Sequence, residues 1–189
     1  MCDGASSSSD PNVSSIQQNL DEEKDEIRHE LSDQWKLWFM KFDGRKSWKE
    51  NLKLMATVDT VELFFQIHNH ILQPSKMTGD STYFFFKNNI QPEWENLANR
   101  NGGKWEFRTR DETVIDQMWL DAQLLLIGGE DANNRSLNGC VIQRKRREFR
   151  ISLWISDSRN EKLVAEIGES FKRAIKTPSA DFTKHTGSS

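Results

Sequence analysis

A chain of 189 residues is long enough for one domain with a sizeable core plus a tail, and its seven Trp and eleven Phe against one Tyr require most indoles to be partly buried. The formal charge of -3 is uneven: residues 1–30 hold eight acidic and two basic side chains (net -6), leaving residues 31–189 at +3 from 24 basic minus 21 acidic, which suits an anionic ligand without demanding one. Two cysteines, Cys2 and Cys140, exclude a disulfide framework, and neither a membrane-length apolar run nor a signal-peptide pattern is present, so a soluble cytosolic protein is expected.

Residues 1–28 are polar, with Ser6–Ser9 and Asp21–Glu26 as low-complexity runs. They bury too little apolar area to offset chain entropy and are expected to form a disordered acidic tail before a domain at 29–189. The acidic run reads as a solvated tail and not as a metal-binding helix. Asp33–Phe42 is aromatic and loosely alternating, as in a strand, and Asp43-Gly44 closes it with a turn signal. A polar loop, Arg45–Glu50, carries a lone Trp48. Asn51–Val58 alternates again, with Leu52, Leu54, Ala56 and Val58 expected on one face.

Asp59 followed by Glu62 predicts a capped helix over Val61–Leu72, with Phe64, Ile67, His68 and Ile71 as its core stripe and Val61 and Phe65 on another side. Thr82–Phe86 reads as a short apolar strand after the Gly79-Asp80 turn. Residues 91–105 are too polar and broken to form a core element, yet hold Trp94 beside Glu95. A Trp outside the core offers a wide π-face, and the carboxylate accepts hydrogen bonds only. The pair suits a flat, electron-poor ring with N–H donors on one edge, as in a guanine carrying positive charge; it equally suits a loop anchor beside a solvated acid.

Asn101-Gly102-Gly103 predicts a tight turn, and Lys104–Thr109 alternates Trp105, Phe107 and Thr109 against Lys104, Glu106 and Arg108. A second helix is expected from Asp111 to Ile127, with Ile115, Met118, Trp119, Ala122, Leu125 and Leu126 inward and Leu120, Leu124 and Gly128 on a wet flank. Strands follow at Cys140–Lys145 and Phe149–Ser156. A capping box, Ser158 to Glu161, opens a third helix that Pro178 ends, and Ala180–His185 is a last edge strand. Strand pairs interrupted by three helices predict an α+β fold, one antiparallel sheet with helices on one face.

Phe149, Ile151, Leu153 and Ile155 alternate onto the helix-covered face, which leaves Arg150, Ser152 and Trp154 on the open one. Cys140 and Ile142 likewise face the core, with Val141, Gln143 and Lys145 open. Lys145 and Arg150 flank a basic turn, Arg146-Arg147-Glu148. Singly, that turn is a solvated hairpin tip and Trp154 an edge-packing residue; four features agree when Trp48 and Trp94 are added.

The motifs Trp35-Lys-Leu-Trp38-Phe, Lys46-Ser-Trp48, Asp59-Thr-Val-Glu62, Phe86-Lys, Ile90-Gln-Pro-Glu-Trp94-Glu95, Gly102-Gly-Lys-Trp105, Trp119-Leu, Asn138-Gly139 and Ile167-Gly168, in this order over about residues 29–185, resemble the eukaryotic initiation factor 4E family. The resemblance implies a cupped antiparallel sheet of about eight strands with three helices on its convex back. It implies that the concave side binds the 7-methylguanosine cap of mRNA. Trp48 and Trp94 would stack on the base, Glu95 would accept its N–H groups, and Trp154 would lie near the added methyl. Lys145, Arg150 and Lys104 would hold the triphosphate.

Lys145 stands where the family usually has Arg, replacing a fork with a point charge; a bulge would bring Arg144 into its place. By the same resemblance the sequence, which ends at Ser189, is expected to stop before the C-terminal loop that closes over the phosphates in relatives. On the back, Val61, Phe65, Leu120 and Leu124 form an apolar patch that either a segment of this chain or a partner covers. The resemblance gives it to an amphipathic helix of the initiation factor 4G scaffold and of inhibitory 4E-binding proteins, with His29, Val61, Phe65, Leu120, Asp121, Leu124 and Gly128 taking part. Phe65 replaces a usual Trp, Leu63 a common Asp-type residue, and Glu30 a usual Pro.

A cap-binding initiation factor is therefore expected, without catalytic residues, cofactor or metal. It would act as a monomer outside its complex, in the cytoplasm with the nucleus as a second compartment. A repressor or specialised paralogue with weak scaffold binding is the alternative. An enzyme acting on the cap is disfavoured: Asp21–Glu30 lacks the glycine and spacing of a nucleotide-diphosphate hydrolase, and His68 and His70, two apart on a helix, face different ways. A Trp-rich carbohydrate-binding module is disfavoured by the basic turn.

Overall fold

The computed structural model describes residues 28–129 and 132–185. The expected disorder of residues 1–28 falls, apart from Arg28, outside them. Seven strands form one curved sheet: β1 (Glu30–Lys41), β2 (Leu52–Thr60), β3 (Ser81–Lys87), β4 (Gly103–Thr109), β5 (Leu137–Lys145), β6 (Glu148–Ile155) and β7 (Asp181–Lys184). Their order is β2-β1-β3-β5-β6-β4-β7, with every neighbour antiparallel. The resemblance implies about eight strands; the described residues hold seven, one for each strand segment read from the sequence.

Five α-helices are described: α1 (Trp48–Asn51), α2 (Val61–His70), α3 (Ile115–Ile127), α4 (Ala132–Arg135) and α5 (Glu161–Ala174). α1 and α4 are single turns. The three longer helices cover the convex face, where Phe64, Ile115, Trp119, Ala122, Leu126, Val164, Ile167 and Phe171 meet inward residues of the sheet such as Trp35, Leu37, Phe85, Ile142 and Ile151. Each large side chain removed from water there contributes about 1.5–3 kcal/mol, which makes this face the source of stability. α5 docks closely because the Trp105 indole lies against Gly168 and donates to the Val164 carbonyl at 3.0 Å. A Cβ at residue 168 would run into that indole.

The concave face has only a small apolar floor of Met40, Phe84, Phe86 and Val141, flanked by Trp38, Leu52, Ile90 and Trp154. The split of β6 follows its alternation: Phe149, Ile151, Leu153 and Ile155 belong to the convex core, and Trp154 to the concave floor.

Four local expectations are corrected. Leu52, Leu54, Ala56 and Val58 do not share a face. Leu37 and Trp38, adjacent on β1, pair with Ala56 and Leu54, so Met55 is an extra, bulged residue. Leu52 and Leu54 therefore follow Met40 and Trp38 to the concave side, while Ala56 and Val58 join the convex core. α2 is capped by Thr60, whose Oγ1 accepts from Leu63 N at 3.3 Å, and Glu62 instead holds His29, accepting from its backbone N at 3.1 Å and meeting Nδ1 at 2.6 Å. α3 begins at Ile115, because Asp111 Oδ1 accepts from the Thr113 N–H and hydroxyl and closes a local turn. α5 is capped by Asn160, whose Oδ1 accepts from Leu163 N at 3.1 Å; Ser158 is drawn off to donate to Asn101 O at 3.0 Å.

Candidate functional site

A cavity of about 620 Å³ opens on the concave face, within the usual range for ligand sites. Trp48 and Trp94 line it from two loops, with Glu95 beside Trp94 and Lys104, Arg150 and Trp154 on the sheet beneath. Trp48 is 36% and Trp94 38% exposed, so each indole keeps a face available.

The Trp48 loop is built locally. Ser47 and Glu50 form a reciprocal capping box, which makes the expected irregular loop a one-turn helix. Buried Asn51 donates from Nδ2 to the carbonyls of Asp43, Lys46 and Ser47, and its Oδ1 accepts from Asp43 N. Trp48 meets the edge of Phe84 on β3 at 6.1 Å.

The Trp94 loop is tied to the sheet. Asn99, fully buried, donates to Gln91 O at 2.9 Å and Glu93 O at 2.8 Å, closing the loop around Trp94. Asn138 on β5 donates to Asn99 Oδ1 at 2.8 Å and to Ala98 O at 2.7 Å. Gly102 ends the loop where a side chain would strike the Ile155 carbonyl, so this glycine serves close approach and not an unusual turn. Lys49 and Glu93 meet across the mouth at 3.7 Å.

Charge in the cavity is balanced. Lys49, Lys104 and Arg150 line it, and so do Glu93, Glu95 and Glu106. Lys104 pairs with Glu106 at 2.5 Å, Arg108 with the same carboxylate at 2.7 Å, and Arg150 with Glu148 at 2.7 Å. Burial works to raise the pKa of Glu106, but the Lys104 and Arg108 bonds and charges override it and leave it lowered. Glu95 has no ion pair among the described residues, so its acceptor oxygens remain available.

Trp154 is held by the edge of Phe86 at 5.4 Å and by His185 at 4.3 Å. Burial, helped by the Lys104 charge, lowers the His185 pKa to about 4, so the imidazole is neutral near pH 7.

A family model described as eukaryotic initiation factor 4E matches residues 30–189. This chain belongs to that family. It is 35% identical to the eukaryotic translation initiation factor 4E of Aplysia californica over 156 residues, covering 80% of this chain and 73% of the relative. It is 36% identical to initiation factor 4E1 of Drosophila melanogaster, covering 79% of this chain and 58% of the relative. Among solved structures it superposes on C. elegans eIF4E-3 in complex with the 4E-binding protein Mextli and a cap analogue, with a TM-score of 0.81, 30% identity and coverage of 84% and 94% of the two chains. Ascaris suum eIF4E-3 with an m7G cap gives a TM-score of 0.81 at 33% identity, covering 86% and 94%.

Within this 4E-family chain six of the seven expected cap residues share the cavity. Lys145 does not; it lines a neighbouring cavity with Arg110, Arg146, Arg147 and Glu148, joined to the first through Arg150. Arg144 does not replace it. The β5–β6 register runs without a shift from Gly139 to Lys145, so Arg144 stays on the opposite face, paired with Glu112 at 3.1 Å and lying over the Phe149 ring.

On the back, His29 and Gly128 are exposed, Phe65 is 39% exposed, and Val61, Leu120, Asp121 and Leu124 are half-buried. Sequence reasoning missed the loop staples Asn51, Asn99 and Asn138, and the ion-pair role of Glu106. For Glu106 the signal existed, since alternation already puts Lys104, Glu106 and Arg108 on the open face. No helix among the described residues is long and apolar enough to cross a membrane.

Proposed function

We propose that this chain binds the 7-methylguanosine cap of mRNA in the concave cavity and delivers the message to the initiation machinery through a scaffold partner on its back. The observation carrying this reading is the meeting of Trp48, Trp94 and an unpaired Glu95 in one cavity. Methylation gives the guanine a delocalised positive charge. Stacking contributes roughly 1–3 kcal/mol per aromatic face, and the charge adds about 0.5–2 kcal/mol over an indole. Glu95 accepts two N–H donors of the base, a charge-assisted contact that an adenine edge leaves unpaired.

Trp154 lies near the methyl group, and a neutral His185 behind it adds no charge to repel the cationic base. Arg150, with Lys145 and Lys104, takes the triphosphate. The cap is held and released intact, without cofactor, in the cytoplasm. The relatives bound to cap analogues and 4E-binding proteins support the reading, as do an exposed Phe65 on α2 and half-buried Leu120 and Leu124 on α3.

A Trp-fluorescence titration with 7-methylguanosine triphosphate and with GTP, at two salt concentrations, tests it. Saturable quenching with a clear preference for the methylated ligand is expected; equal affinities would sink the reading. Recovery of unaltered cap analogue after long incubation checks that no hydrolysis occurs. A second reading, a cap-binding repressor or specialised paralogue, is favoured by Phe65: a phenyl ring lacks the N–H of the Trp usual there. Failure of the scaffold helix to be retained by the cap-loaded protein would select it.

A further inference from the structure

The second cavity, about 650 Å³, is lined by Arg110, Lys145, Arg146, Arg147, Glu148 and Arg150. Its electrostatics differ from those of the first. In the Trp-lined cavity each cation has a carboxylate partner: Lys49 with Glu93, Lys104 with Glu106, Arg150 with Glu148. The one acid of the second cavity is engaged by Arg150, and Arg110, Lys145, Arg146 and Arg147 form no ion pair among the described residues. Unneutralised cations thus collect beside the triphosphate end of the site.

Backbone geometry singles out one of them. Arg146 opens the two-residue connection between β5 and β6 with φ 57, in the left-handed region where glycine or asparagine sits at little cost. An arginine held there is strained, and a strained residue at a site edge points to a use for its side chain.

We propose that this cavity receives the phosphodiester backbone of the first transcribed nucleotides of the RNA, with Arg110, Arg146 and Arg147 as phosphate ligands beyond the triphosphate. The inference rests on the cap-binding reading, because Arg150 is what joins the two cavities. It assigns the contacts no base preference: guanidinium groups at a hairpin tip meet phosphate oxygens and fix the path of the strand without reading it. The binding is therefore salt-dependent and sequence-independent.

The test compares the wild type with the double variant Arg146→Gly, Arg147→Ser, using three probes: 7-methylguanosine triphosphate, a capped RNA of ten nucleotides, and the same RNA uncapped. Glycine at 146 relieves the backbone, so the variant should melt no earlier than the wild type. It should keep the affinity for 7-methylguanosine triphosphate and lose on the order of tenfold for the capped RNA near physiological salt, while its log–log salt slope becomes shallower by about 1.4, two contacts' worth for a single strand. Equal losses for the capped RNA and the small cap ligand would overturn the proposal, since the turn would then belong to the triphosphate grip. Unchanged affinity for both would overturn it as well and leave a solvated hairpin tip. Should 7-methylguanosine triphosphate fail to bind the wild type, the cap reading falls by itself. The uncapped RNA still reads the cavity in that case: a salt-dependent loss in the variant supports it, and no loss rejects it.

Discussion

The loops carrying Trp48 and Trp94 are each closed by a buried asparagine, yet the two are fastened to different things. Asn51 bonds only within its own loop, to Asp43, Lys46 and Ser47, at most eight residues away. Asn99 closes its loop and is then gripped by Asn138, 39 residues on, in a central strand. Among the described residues the only ion pair that joins the two loops is Lys49–Glu93 at 3.7 Å; its lysine is exposed, and pairs anchored by a solvated lysine contribute about 0–1 kcal/mol. The Trp94 wall is thus registered to the sheet that carries Arg150 and Trp154, while the Trp48 wall is a self-contained turn leaning on Phe84. One jaw is part of the frame and the other is mounted on it.

The largest effects lie at the indoles themselves. Trp48→Ala and Trp94→Ala should each abolish retention on immobilised 7-methylguanosine triphosphate, since each removes about 1–3 kcal/mol of stacking along with part of the attraction for the charged ring. Full retention by either variant would refute a two-sided grip. Next comes Asn99→Leu, which strips the Gln91 and Glu93 carbonyls and Asn138 of their partner inside the protein. It should lower the unfolding free energy by about 2–4 kcal/mol in a denaturant titration and weaken cap binding with it.

Asn51→Leu should cost less, about 1–2 kcal/mol, because the carbonyls it frees lie in an exposed loop where water reaches them. If Asn51→Leu proves the more damaging, the contrast between the jaws is wrong. Hydrogen exchange sharpens the same point: amides over 46–51 should exchange faster than those over 96–102. Ser47→Ala, which breaks the capping box, should cost about 1 kcal/mol and act on the Trp48 side alone.

The last effect is silent at neutral pH and concerns the wall between the jaws. His185 titrates at 6.5 in its unperturbed state and near 4 in the fold, so the unfolded chain binds the proton more readily. Its contribution to stability should fall as pH drops from about 6.5 towards 4 and level off below. His185→Gln should flatten that part of the pH–stability curve.

The sheet was legible in the sequence where its strands alternate, as in β6: Phe149, Ile151, Leu153 and Ile155 could face only one way. The indoles and Glu95 were legible because a Trp in a polar, Pro-broken segment has no core to enter. The staples were not. Asn99 looks like any loop asparagine until Asn138, far along the chain, is brought beside it. Helix starts misled because Ser158 and Glu62 are good capping residues that the tertiary structure engages elsewhere, with Asn101 and His29. Lys145 was read on the correct face; its removal from the main cavity follows from its place at the far end of β5, one residue before the hairpin turn.

The bulge at Met55 bears on how this chain tolerates change. Up to Leu54 the strand supplies the ligand side, and from Ala56 on it supplies the core, so Met55 works as a spacer between two reading frames. Exposed as it is, its side chain is dispensable and many replacements should pass unnoticed. Its deletion is another matter: removing one residue would drive either Leu52 and Leu54 or Ala56 and Val58 to the wrong surface. At this position length is under constraint and identity is free.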